Sequence, residues 1–286
     1  MTSGQNVLSP DFDNDPRLLA VGLCYFLHYH SFMQPEHDES AFDWIRRGRD
    51  VPESNIEVRR AVGYFLSLLM PPAFGAYVKI LHRIEAHYEI VDNPLTERET
   101  AILRIPPCEE LRSLIENRRG NSPRPRIWWK EVAEVLNVPF VPEINQNWYL
   151  RKLDTGCWPR FLCGPNDGWL STEECGELGS VLNGFTDGND CFFRFSEWRF
   201  HSQGKPLLFR GTLDELNEFR KMSGYKISPE YWWPPNRNWC VCSDYDHAFT
   251  IVGGPKELIS TLLTSSILEC LEVTAQTRID YFVSLP

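Results

Sequence analysis

Two short runs late in the chain, NWCVCSD (238–244) and HAFTIVG (247–253), carry apolar side chains at both alternating sets of positions. Successive side chains of an extended strand point to opposite faces. Trp239 and Val241 therefore share one face, and the two cysteines of the first run share the other. A strand that is apolar on both faces has to be covered on both sides. The two runs and the short turn between them thus predict a covered antiparallel hairpin.

Helix signals alternate with strand signals from residue 171 onward. Ser171 with Glu174, and Thr212 with Glu215, have the spacing of a capping box at a helix start. A third helix is predicted over 254–265. Strand-like runs lie at 191–200, 205–211, 238–244, 247–253 and 266–273. The order α-β-β-α-β-β-α-β is typical of an α+β unit with helices on one face of a largely antiparallel sheet.

The earlier part of the chain has a different, mainly helical pattern. Apolar residues at helical spacing predict helices at 15–33, 56–70, 96–105, 108–119 and 128–137. Residues 72–88 fit either a helix or a long buried strand, because Gly75 and several β-branched residues weaken the helical signal. We expect an α+β fold with a helical N-terminal region, 1–140, and an α+β C-terminal region, 141–286, whose mainly antiparallel sheet is covered by helices. The pattern leaves open whether these regions form two domains or one.

Charge and hydropathy restrict the partners of the chain. The formal net charge is −10 and the pI about 5.3, whereas a nucleic-acid-binding surface needs positive charge. An acidic protein is better suited to a basic protein partner. The longest apolar stretch, residues 18–27, is too short to cross a bilayer, and no signal-peptide pattern precedes it. We therefore expect a cytoplasmic protein that binds neither nucleic acid nor membrane, with reduced cysteines that mostly pack in the core.

The run YWWPPNRNWCVCSDYD, followed by FTIVGGPKELISTLL and LECLEV, resembles the C-terminal region of a group of uncharacterised bacterial proteins. That region reads WWP-x-x-R-x-W-x-V-x-x-x-x-D, followed by a strand that ends in V-G-G and a helix with an L-I pair. Residues 73–84 and 127–136 resemble earlier motifs of the group, so the resemblance covers roughly 70–286. Val273 stands where the group usually has a closing proline. No activity is established for the group, so the resemblance implies a fold and no catalytic residue.

Cys240 and Cys242 point to the same side of their predicted strand and could begin a thiolate metal site. Structural zinc sites take four ligands, usually from C-x-x-C knuckles or histidine pairs. The nearest further pair, Cys157 and Cys163, lacks that spacing. We therefore predict no metal site and no cofactor, and we expect these thiols to pack as small apolar groups.

Asp244, Asp246 and His247 surround the turn of the predicted hairpin. Two carboxylates beside an imidazole can hold Mg²⁺ or act as acid and base. A metal-dependent hydrolase built on these three residues, with Glu197 or Cys240 assisting, is therefore the alternative function. Aspartate also favours turns because its side chain hydrogen-bonds the nearby backbone. We favour this second role and assign no catalytic residue.

Four residues of the WWPPNRNW run are the candidate binding residues: Trp232, Trp233, Arg237 and Trp239. A guanidinium can stack on an indole ring, and tryptophan and arginine dominate interface hot spots. The leading hypothesis is a non-enzymatic protein-binding or immunity-type module that uses acidic and aromatic surface. The third interpretation is a structural protein whose tryptophans all lie in the core.

Overall fold

The computed structural model describes residues 33–51, 63–88, 109–118, 124–153, 157–188, 190–195, 207–223 and 228–280. In chain order, its strands are β1 (Gln34–Pro35), β2 (Ala76–Leu81), β3 (Ile84–Ala86), β4 (Arg126–Ile127), β5 (Leu162–Cys163), β6 (Cys191–Phe195), β7 (Leu207–Gly211), β8 (Tyr231–Trp233), β9 (Cys240–Cys242), β10 (Phe249–Gly254) and β11 (Glu269–Val273). Its α-helices are α1 (Asp43–Gly48), α2 (Glu109–Asn117), α3 (Trp129–Leu136), α4 (Gln146–Lys152), α5 (Thr172–Asn183), α6 (Leu213–Ser223) and α7 (Lys256–Leu263). Short 3₁₀ helices form at Glu39–Phe42 and Leu66–Leu68.

Eight strands form one antiparallel sheet in the order β1-β7-β6-β8-β9-β10-β2-β11. A small second sheet has the order β4-β3-β5. The α+β class predicted from the sequence is therefore confirmed. Strand β2 lies between β10 and β11, where Val78 is paired with Val252 on one side and Glu272 on the other. The region predicted to be helical thus supplies an interior strand. Residues 72–88 form strand and not helix, as two short strands, β2 and β3, in different sheets instead of one long strand.

Helices α5, α6 and α7 cover one face of the sheet. Leu178, Leu216 and Leu258, one from each helix, pack in a single buried cluster with Val78 and Val252 of the sheet. The capping boxes predicted for α5 and α6 are both present, since each pair makes its two reciprocal hydrogen bonds. The caps fix where these helices begin, and their apolar faces then hold them on the sheet.

Helices α1 to α4 cover the opposite face. Ile45, Leu111, Trp129 and Trp148 come from these four helices in turn and share one buried cluster with Ile251 of β10. Side chains from both predicted regions thus meet in this cluster. Helices α2 and α3 match the predictions at 108–119 and 128–137.

The predicted helix over 56–70 is wrong in the part that the structure describes. Only the 3₁₀ helix Leu66–Leu68 forms there. The backbone N–H groups of Leu66 and Ser67 bond instead to the carbonyls of Thr277 and Ala275, which lie far along the chain. The predicted helix at 96–105 lies outside the described residues, and so does the one at 15–33 except for its last residue, Met33.

Strand β8, Tyr231–Trp233, is the one described strand of the large sheet's C-terminal half that the sequence patterns do not predict. Two prolines follow it and suggest a loop, but they lie just beyond its last residue, where no ladder N–H is required. Because successive side chains of a strand point to opposite faces, Trp232 packs in the cluster under α5–α7 and Trp233 packs in the cluster under α1–α4. The two rings therefore support opposite layers of the fold.

Strand β2, which lies next to the edge strand β11, carries a fully buried lysine, Lys79. Its Nζ donates hydrogen bonds to the backbone carbonyls of Pro142 and Ile144 and lies 5.1 Å from the ring centroid of Phe249. Burial lowers the pKa of Lys79 to about 7, and the nearby Glu143 carboxylate opposes this effect. Lys79 thus joins the segment between α3 and α4 to the sheet.

No helix in the described segments is both long enough and apolar enough to span a bilayer.

We predict that Trp232→Ala and Trp233→Ala each lower the free energy of unfolding by about 3–5 kcal/mol, because each leaves a large cavity in one layer. Urea denaturation followed by circular dichroism measures the loss. The matched control is Tyr245→Ala, which truncates an exposed ring and should change stability by less than about 0.5 kcal/mol. A loss for either tryptophan as small as that of the control contradicts the two-layer arrangement.

We also predict a pH-dependent effect of Lys79→Met. Unfolded Lys79 recovers its ordinary pKa, so between pH 7 and pH 10 the unfolded chain binds more protons than the folded one. The wild type should therefore gain stability relative to Lys79→Met as pH rises, by up to about 1.4 kcal/mol per unit between about pH 7 and about pH 9. Urea titrations at several pH values measure this difference, and exposed Lys256→Met is the control. A difference that stays constant with pH shows that Lys79 is not desolvated.

Candidate functional site

The turn between β9 and β10 has the hydrogen bonds expected of an aspartate turn. The backbone N–H of Asp246 donates to Oδ1 of Asp244 at 2.9 Å, and the N–H of His247 donates to the Asp244 carbonyl at 3.2 Å. Strands β9 and β10 pair in antiparallel register, so the predicted hairpin is confirmed. Asp244 thus has the structural role that the sequence analysis favoured.

His247 packs against the sheet beside this turn. Its ring stacks on Phe249, with centroids 4.7 Å apart and planes inclined by 17°. Burial lowers the pKa of His247, whereas the carboxylates of Asp244 and Asp246 act in the opposite direction. The structure therefore brings the three predicted residues close enough to interact electrostatically.

A second loop adds a carboxylate that sequence reasoning did not identify. Gly168 donates its N–H to the carbonyl of His247 at 2.8 Å, which holds Asp167 close to the turn. Gln146 of α4 donates to Asp167 at 3.1 Å. Burial raises the pKa of Asp167, and Asp246 raises it further. Its run, GPNDGW, has only the signature of a glycine turn, so no local signal relates it to the hairpin.

Tyr245 lies at the tip of the turn and is 48% exposed. The Asp246 carboxylate, followed by partial burial and Asp244, raises the pKa of its phenol. We refer to Asp167, Asp244, Tyr245 and Asp246 as the acidic turn surface. It combines an exposed aromatic ring with three carboxylates that come from two loops.

A buried hydrogen-bond chain supports this surface from below. His82 contacts the carbonyl of Asn166 through Nδ1 at 2.6 Å and the hydroxyl of Thr250 through Nε2 at 2.9 Å. The Thr250 hydroxyl is 2.6 Å from that of Ser243. A carbonyl only accepts, so Nδ1 is the donor to Asn166. Because all three side chains are buried, the chain positions the Asn166 loop against the hairpin and does not face solvent.

Three of the four side chains of the predicted contact surface on the tryptophan run are buried. Trp232, Trp233 and Trp239 are 0%, 1% and 0% exposed, since strands β8 and β9 are covered on both faces. Arg237 alone of the four binding candidates is exposed. Its guanidinium carbon lies 5.4 Å from the ring centroid of Trp44. The predicted stacking of Arg237 on an indole thus occurs, but on a ring from α1 that the sequence spacing does not relate to it.

The cysteines of β9 lie in the core, where Cys240 and Cys242 are buried and desolvation raises the pKa of both thiols. Across the segments that the structure describes, no group of three His, Cys, Asp or Glu side chains is arranged to hold a metal ion. Glu197, which the hydrolase alternative adds to the turn residues, lies outside the described residues. The turn therefore presents acidic surface without a ligand cluster among those residues.

Comparison with known proteins finds no matching family model, no matching curated protein and no matching solved structure.

We predict that Asp244→Asn lowers the pKa of His247 further, because it removes a carboxylate that opposes the effect of burial. An NMR titration of the imidazole Hε1 resonance measures this change. Glu134→Gln, which removes one exposed charge from α3, should leave the titration midpoint of His247 where it is in the wild type. An unchanged or higher His247 pKa in Asp244→Asn would place the carboxylate too far away to interact.

Proposed function

We propose that the protein is a non-enzymatic, cytoplasmic protein-binding module of the immunity type, and that its acidic turn surface binds a basic partner. The leading sequence hypothesis assigned this role to acidic and aromatic surface in the WWPPNRNW run. Burial of the three tryptophans moves the proposed contact to the adjacent turn, where Tyr245 is the exposed ring.

The observation that carries the proposal is the placement of Asp167, Asp244 and Asp246, from two hydrogen-bonded loops, beside the exposed ring of Tyr245. Partial burial raises the pKa of Asp246, with Asp244 adding to the rise and His247 opposing it. Asp246 in turn raises the pKa values of Tyr245 and, after burial, of Asp167. These groups thus repel one another when ionised. A lysine or arginine side chain from a partner relieves that repulsion and gains charge-assisted hydrogen bonds.

Two further features support a basic protein as the partner. The net charge of −10 favours attraction of a positively charged surface at long range. Tyrosine offers a large contact area with only two side-chain torsions to order, which makes an exposed ring among charges a suitable interface anchor. The neighbouring carboxylate of Glu230 pairs with Arg194 at 2.7 Å, so the proposal assigns the contact to Asp167, Asp244 and Asp246.

The test begins with a photo-crosslinking amino acid at position 245, introduced into the full chain. The crosslinked protein is identified and purified, and its affinity for wild type, Tyr245→Ala and Asp246→Asn is measured at two salt concentrations. We expect Tyr245→Ala to weaken binding at least about 10-fold, as for a hot-spot residue. Asp246→Asn should slow association and reduce its dependence on salt.

Glu134→Gln is the control for these measurements because it removes the same charge from an exposed position on α3. It should bind like the wild type. If Tyr245→Ala and Asp246→Asn both retain wild-type affinity for the crosslinked protein, the turn is not the interface and the proposal fails.

A further inference from the structure

The segment of residues 138–145 joins α3 to α4, and we refer to it as the strap. Two of its backbone carbonyls, those of Pro142 and Ile144, accept hydrogen bonds from Nζ of Lys79, whose side chain is fully buried on β2. The ring centroid of Phe249, on the neighbouring strand β10, lies 5.1 Å from the same nitrogen. One amine thus binds the strap to the sheet.

The C-terminal end of the strap leads directly to the acidic turn surface. Asn145 is the N-cap of α4, and the next residue, Gln146, donates a hydrogen bond to Asp167 at 3.1 Å. The ring of Phe249 approaches the same surface from the sheet, because the His247 ring stacks on it. The buried amine is therefore related to the acidic turn surface through the strap and through an aromatic contact.

The two acceptors at Lys79 match a neutral amine. A neutral amine has two N–H donors, one for each carbonyl, whereas an ammonium group adds a third donor and a charge that water does not reach. Burial lowers the pKa of Lys79 to about 7, and the Glu143 carboxylate of the strap opposes this effect. Both states are therefore populated near neutral pH, and protonation favours any arrangement in which the side chain reaches water.

Other titratable groups face the same layer of the fold. Burial lowers the pKa of His247, and the charge of Lys79 acts in the same direction. The remaining groups belong to the strands and helices of this layer and are Tyr77 of β2, Tyr149 of α4, Cys240 and Cys242 of β9, and Glu269 of β11. Burial raises the pKa of these phenols and thiols, so they stay neutral near pH 7. Burial also raises the pKa of Glu269 to about 7, so a test has to separate its titration from that of Lys79.

We propose that Lys79 is a proton-operated latch on the strap. The neutral amine holds the strap against the sheet, and protonation favours an open strap in which Gln146 releases Asp167 of the acidic turn surface. The closed strap keeps Asp167 in place, so a basic partner should bind more tightly above pH 7 than below it. This last consequence rests on the proposed function, whereas the opening of the strap does not.

Hydrogen exchange followed by NMR tests the latch in the full chain without a partner. An amide that exchanges through brief opening does so at its intrinsic rate multiplied by the opening equilibrium constant. As pH rises from 7 to 9, the intrinsic rate increases about 10-fold per unit, while the opening constant of a lysine latch falls by up to about 10-fold per unit. The buried Ile144 amide, bonded to the Val141 carbonyl at 2.9 Å, should therefore exchange at a nearly constant rate. In Lys79→Met its rate should increase about 10-fold per unit.

The side-chain amide signal of Gln146 reports on the turn in the same samples. It should shift with a midpoint near pH 7 in the wild type, and this step should be absent from Lys79→Met, which leaves Glu269 and His247 in place. Lys256→Met, which removes an exposed lysine from α7, is the control and should behave like the wild type.

A wild-type Ile144 exchange rate that increases about 10-fold per pH unit, or a Gln146 step that persists in Lys79→Met, overturns the proposal. If Lys79→Met fails to fold, Glu143→Gln decides instead. It removes the carboxylate that raises the pKa of Lys79, so the Gln146 midpoint should move to lower pH, and an unchanged midpoint overturns the latch. Because no partner is present, this test and the crosslinking experiment can fail independently.

Discussion

The central strands of the eight-stranded sheet are covered by helices on both faces, and this double coverage governs where polar and reactive groups can lie. Adjacent residues of β8 send Trp232 and Trp233 into opposite layers, and neither ring reaches solvent. The thiols of β9 are desolvated in the same way. Lys79 is accommodated in the core because its ammonium group donates to two backbone carbonyls. A buried charge without such acceptors would be far more costly.

Because helices cover the faces of the strands, a partner has access to the ends of the strands and to the edge of the sheet. The acidic turn surface lies at the β9–β10 end, where His82, Thr250 and Ser243 form a buried polar chain beneath it. At the sheet edge, Glu269 of β11 accepts hydrogen bonds from the backbone N–H groups of Trp129 and Lys130 at the start of α3.

Local patterns in the sequence predicted a large part of this fold. Alternation predicted the β9–β10 hairpin, and the Ser171 and Thr212 capping boxes predicted the starts of α5 and α6, because both signals depend on neighbours a few residues apart. The position of β2 between β10 and β11 depends on pairing across more than half of the chain, which no local pattern records. For the same reason the sequence related neither Asp167 to the turn nor Glu269 to α3. The sequence analysis also assigned the WWPPNRNW run to a contact surface, although a tryptophan-rich run is equally suited to a core.

Hydroxyl-radical footprinting with mass spectrometry tests the central claim most directly, because it measures solvent access to individual side chains. Trp232 and Trp233 are intrinsically reactive, and double coverage predicts that both are almost unmodified while Tyr245 on the turn is modified rapidly. Unfolding the chain should then make all three rings reactive. Modification of either Trp232 or Trp233 in the native protein at a rate comparable to that of Tyr245 would show that one face of the sheet is open and would contradict the account.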